Sequence, residues 1–116
     1  MIKPYIENGR MAVLVSKGCG AGWSTWNSKE LAWDSRVVEK WFELRDTHPD
    51  WDEEMKEYLQ SIGYDEAYVG GASQLELEWV GLGKYFIVVE YNGAETLITQ
   101  DTMTKWDGYL GQGDDI

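Results

Sequence analysis

Three glycines alternate through residues 18–22, directly after an apolar run from Met11 to Val15. No other segment constrains the backbone so strongly. Gly18, Gly20 and Gly22, with Ala21 between the last two, can adopt φ > 0 and leave neighbouring N–H groups uncovered. Trp23, Ser24, Thr25, Trp26 and Asn27 follow at once, two indoles among three short hydrogen-bonding side chains. Two readings fit this string. In one it is a tight backbone crossing with its tryptophans in the core. In the other it is a pocket wall whose exposed amides meet an anion while Trp23 or Trp26 stacks on a base. It is not a P-loop, because no Gly-Lys-Ser/Thr follows. It is not the dinucleotide fingerprint either, because Trp23 stands where the third glycine belongs.

Around this segment the pattern predicts an α+β domain. Tyr5 to Val15 reads as an N-terminal β-hairpin turned by Asn8-Gly9, a type I′ pair, with Pro4 at the start of its edge strand. Two central helices come next. Asp34 or Ser35 caps the first, whose apolar positions Val37, Val38, Trp41, Phe42 and Leu44 have helical spacing, and His48-Pro49 breaks it. Asp50 caps the second, Met55, Tyr58, Leu59 and Ile62 form its apolar stripe, and Gly63 ends it. A C-terminal antiparallel three-stranded meander is expected last. Leu75, Leu77 and Trp79 alternate with polar residues. Tyr85 to Tyr91 is apolar on both faces, as in a central strand, and Asn92-Gly93 turns into Ala94 to Thr99. Residues 1–104 are expected to form one domain, with 105–116 a flexible tail.

Charge and residue inventory narrow the function. The net charge of −11, with ten scattered basic residues, argues against a nucleic-acid partner, which requires clustered Lys and Arg. No apolar run approaches a membrane span and no secretory h-region is visible, so a cytoplasmic protein is expected. Cys19 lies in a loop of free amides that would lower a thiol pKa, but the only histidine, His48, belongs to another element. No catalytic residue, metal site or cofactor is expected. Asp50, Asp52, Glu53 and Glu54 suit a helix's first turn, and Glu76 and Glu78 suit a solvated strand face. Gly70 and Gly71 form a second small-residue loop, either an ordinary connection or the piece that completes a pocket with the first. Seven tryptophans, with Trp41, Phe42 and Tyr58 on the helices, offer more apolar surface than one small core hides, which predicts a homodimer.

The segments AVLVSKGCGAGWSTWN, GGASQLELEWV and FIVVEYNGAETL resemble a family of small uncharacterised proteins of tailed bacteriophages. That likeness spans most of residues 5–99, and its specific motif is the Gly-x-Gly-Ala-Gly-Trp segment. Cys19 departs from it, since an aromatic is common there. The resemblance implies a phage protein acting in the cytoplasm of the infected host, where small proteins of this kind counter host defence. The resulting expectation is a non-enzymatic binder that sequesters a nucleotide-derived immune signal. Its ligand would lie on Gly18, Gly20, Ala21, Gly22, Trp23, Ser24, Thr25, Trp26, Asn27, Gly70 and Gly71. Arg10, Lys17, Lys29 or Arg36 would have to gather there to offset the acidic charge. The alternative is an acidic inhibitor of a host defence or regulatory protein.

Overall fold

The computed structural model describes residues 2–18, 20–47 and 52–99. Cys19, the His48-Pro49 break, the Asp50 cap and the tail 105–116 lie outside the described residues. Strand β1 (Ile6–Glu7) turns through Asn8 (φ 54°) and Gly9 (φ 74°) into β2 (Arg10–Ser16), the left-handed pair that a type I′ hairpin needs. Short 3-10 turns at Ser24–Trp26 and Lys29–Ala32 lead to helix α1 (Ser35–Thr47), followed by α2 (Asp52–Ser61). Asp34 caps α1, its carboxylate accepting the Arg36 amide at 2.9 Å. Gly63 (φ 105°) closes α2. The Tyr64 amide donates to the Leu59 carbonyl (2.8 Å) and the Gly63 amide to Gln60 (3.3 Å), so the last carbonyls keep partners.

Three strands complete the α+β fold: β3 (Leu75–Gly81), β4 (Phe86–Tyr91) and β5 (Ala94–Thr99). Their pairing corrects the expected meander. β3 lies antiparallel against β2, with Leu14 opposite Leu77, and builds a sheet in the order β1-β2-β3. Among the described residues β4 and β5 pair only with each other, turned by Asn92 (φ 50°) and Gly93 (φ 86°). The central strand is therefore β2, not Tyr85–Tyr91.

Both faces of β2 are buried, and this organises the core. Ala12 and Leu14 face the helices and join Val37, Val38, Trp41, Leu44, Met55 and Leu59. Val13 and Val15 point the other way, onto Val80, Ala32 and the half-buried Phe86, Val88 and Leu97. The result is three layers: helices, the three-stranded sheet, and the β4–β5 hairpin. The tryptophan and other apolar positions of α1 are absorbed by the first cluster, with Trp41 only 6% exposed. Unburied apolar area gathers instead on β4.

Candidate functional site

The glycine segment is a three-way backbone crossing. Gly20 (φ 103°) donates its amide to the Asn92 carbonyl at 2.6 Å, which brings the β4–β5 turn against it. A Cβ on Gly93 would collide with the Ala21 backbone nitrogen, so only glycine allows that approach. Gly71 meets it from the other side, and a Cβ there would lie 2.9 Å from both the Ala21 carbonyl and the Ser16 hydroxyl. The two small-residue loops thus face each other, as one expectation had it. They do so in direct contact, Gly71 lying against the Ala21 and Gly22 carbonyls. Gly18 packs under the Gln74 side chain, Gly22 under Trp26, and Gly70 lies against the Tyr68 ring.

The anion that the uncovered amides call for is the protein's own Glu95. This side chain is 2% exposed. Its Oε1 accepts the Ser16 amide at 2.8 Å. Its Oε2 accepts the Trp23 amide (2.7 Å), the Thr25 amide (3.0 Å) and the Thr25 hydroxyl (2.6 Å). No cation pairs with Glu95 among the described residues. Burying a carboxylate is tolerated when its lone pairs are filled by hydrogen bonds, and here four donors converge on two oxygens. Trp23 is fully buried and its indole N–H donates to the Leu31 carbonyl at 2.8 Å. Both observations correct the picture of Trp23 as a stacking face beside open amides.

Of the remaining expected residues, Ser24 is buried, Thr25 half-buried, and Trp26 43% exposed. Asn27 works as a clamp. Its amide nitrogen donates to the Trp23 and Tyr68 carbonyls (2.8 and 3.0 Å), and its oxygen accepts the Tyr68 amide at 2.8 Å. This fixes the loop after α2, and the Tyr68 ring rests 5.7 Å from that of Trp26. Behind the clamp, burial pushes the Asp34 carboxyl up. Hydrogen bonds from Arg36 (side chain and amide) and from the Tyr64 hydroxyl outweigh burial and hold it below its ordinary value. Burial and the same bond raise Tyr64 to about 12.

Two cavities adjoin the segment. One, of about 510 Å³, opens between Trp26, Ser28 and the Gly63–Ala67 loop, with Asp65 and Glu66 on its wall. The other, of about 340 Å³, lies between the Ser24–Trp33 stretch and β4. Ser24, Thr25 and Lys29 supply its polar groups, and Trp33, Phe86 and Val88 its apolar walls. The expected cations do not gather. Lys17 pairs with Glu78 (2.7 Å), Arg36 with Asp34 (2.7 Å), and Arg10 covers the Trp79 ring. Lys29 alone of the four reaches a cavity of the segment, and it forms no ion pair among the described residues.

Sequence reasoning named Lys29 as one of four candidate cations but missed Glu95, Trp33, Phe86 and Val88 as parts of this region. A signal for Glu95 existed. In β5 it has the parity of Leu97, which places a carboxylate on the buried face. Among the described residues, no group of three or more His, Cys, Asp or Glu could hold a metal ion. Searches found no matching family model, no matching curated protein and no matching solved structure.

Proposed function

We propose that this chain is a non-enzymatic binder of a small nucleotide-like ligand, held in the 340 Å³ cavity rather than on the glycine amides. The observation that carries the reading is the pairing, in one recess, of aromatic and aliphatic walls with Lys29, Ser24 and Thr25. Apolar walls with a few placed polar groups are what small-molecule sites are made of. A planar base finds Trp33 and Phe86, and an anionic group finds the Lys29 ammonium. Thr25 donates its hydroxyl proton to Glu95, which leaves its oxygen to accept from a ligand. The resemblance to tailed-phage proteins gives the biological sense: sequestration of a nucleotide-derived defence signal in the cytoplasm of the infected cell. Among the described residues no helix is long and apolar enough to cross a membrane.

Calorimetric titration of the full chain with cyclic dinucleotides, cyclic mononucleotides and ADP-ribose derivatives tests this. At least one should bind, and Lys29→Glu should weaken it by at least about tenfold, the loss of one charged contact of ~1.4 kcal/mol. Mass spectrometry of the released ligand should find it unchanged. Silence across the panel, or undiminished binding by Lys29→Glu, refutes the site. Conversion of the ligand refutes the non-enzymatic part.

A second reading, an acidic inhibitor of a basic host protein, is favoured by a different surface. Trp26 and Tyr68 are exposed by 43% and 52% beside Asp65 and Glu66, an arrangement suited to Arg or Lys side chains of a partner.

A further inference from the structure

The β4–β5 hairpin is apolar on both faces, and the sheet and the helical turns of the described residues pack on one of them. Phe86, Val88 and Leu97 turn inward onto Val13 and Val15. The outer face carries Tyr85 (78% exposed), Ile87 (51%), Val89 (39%) and Tyr91 (79%) in unbroken alternation. Register continues it onto β5, where Ile87 lies opposite Ile98, Val89 opposite Thr96, and Tyr91 opposite Ala94. The hairpin is thus the outermost of three layers while having the composition of an inner one.

We infer that this outer face is the interface through which two copies of the chain pair. Area is the first reason. At about 200 Å² for a whole tyrosine, Tyr85 and Tyr91 alone expose roughly 300 Å², already at the scale of the largest apolar patch on an ordinary monomer. With Ile87, Val89, Ala94, Thr96 and Ile98 the face supplies more than half of the ~800 Å² per partner of a stable pair. Charge is the second reason. The chain carries −11, so two copies repel almost everywhere, yet these seven positions include no ionisable carboxylate or ammonium. A basic partner would seek the acidic surfaces, and this face offers it nothing to pair with. A like-charged copy can meet the face without opposing its own carboxylates, and a two-fold axis makes one patch serve both sides. Two hairpins packed face to face, about 10 Å apart, would complete a layered core shared between the copies. Ile87 also lines the 340 Å³ cavity, so pairing would bring the second copy to its rim. The inference stands apart from the ligand reading, because the mass is measured on protein free of nucleotide.

Sedimentation velocity of the full chain tests it at several concentrations. The expected mass is twice 13.3 kDa, relaxing toward 13.3 kDa on dilution. Ile87→Glu and Tyr91→Asp should each shift the equilibrium to monomer at least tenfold with an unchanged far-ultraviolet circular dichroism spectrum. Leu82→Asp, an exposed apolar residue outside the patch, should leave the mass doubled. A wild-type mass of 13.3 kDa at high concentration overturns the inference, and the face then belongs to a different partner. A folded Ile87→Glu, Tyr91→Asp double variant that still pairs overturns it equally.

Discussion

Replacing Glu95 by alanine should strand three amides at the crossing at once. Among the described residues the carboxylate accepts the amides of Ser16, Trp23 and Thr25, and it also takes the Thr25 hydroxyl. Each buried donor stranded by its removal costs about 1–3 kcal/mol. The hydroxyl can rotate toward another acceptor, and water entering the vacated space relieves part of the rest. The sum expected is therefore about 3–5 kcal/mol, near the lower end for the three amides. Set against a total of roughly 5–15 kcal/mol, this leaves a marginal protein. Glu95→Gln sharpens the test. Its carbonyl oxygen can serve the Trp23–Thr25 donors, but its NH₂ then opposes the Ser16 amide, and the charge-assisted strength is gone. About 2–3 kcal/mol should be lost. Urea unfolding followed by tryptophan fluorescence measures both changes, with m compared to confirm that the transition still spans the whole domain. Amide exchange should accelerate first at Ser16, Trp23 and Thr25. An alanine variant less than about 1 kcal/mol below wild type would refute the reasoning. So would unchanged exchange at those three amides.

Glycine substitutions separate close approach from turn geometry. Gly93→Ala combines φ 86° with a collision against the Ala21 nitrogen and should detach the hairpin, whereas Gly9→Ala, at φ 74° in open space, should cost only about 1 kcal/mol; equal losses in thermal unfolding would contradict this. Tyr64 provides the pH test. Its folded-state value is raised from 10.0 to about 12, so its contribution is whole below pH 10 and is lost as pH rises through 12. The melting temperature should fall across that window less steeply in Tyr64→Phe, and parallel curves would count against the Tyr64–Asp34 bond.

Much of the local structure was legible in the chain. Asn8-Gly9 and Asn92-Gly93 named their turns because few residue pairs accept two successive left-handed conformations. Asp34 named the start of α1, since a carboxylate two residues ahead can take a free helix amide. Gly63 named the end of α2 for the complementary reason. The alternation in β3 named its buried face. Each of these depends on neighbours within a few residues, and short-range chemistry can be read along a sequence.

Pairing and occupancy are not of that kind. β3 could lie beside β4, next in sequence, or beside β2, some sixty positions earlier, with the same alternation; only the packing of helices on one face of β2 and the hairpin on the other decides it. The apolar character of Tyr85–Tyr91 said that both faces favour burial, while the tertiary structure covers one and exposes the other. The glycine segment shows the same division. Its residues declared a backbone with uncovered amides, and an anion is what such amides bind. That the anion is Glu95, 72 positions beyond Trp23, follows from the fold alone, because the β5 carboxylate reaches those amides only once the hairpin turn has settled against Gly20 and Ala21.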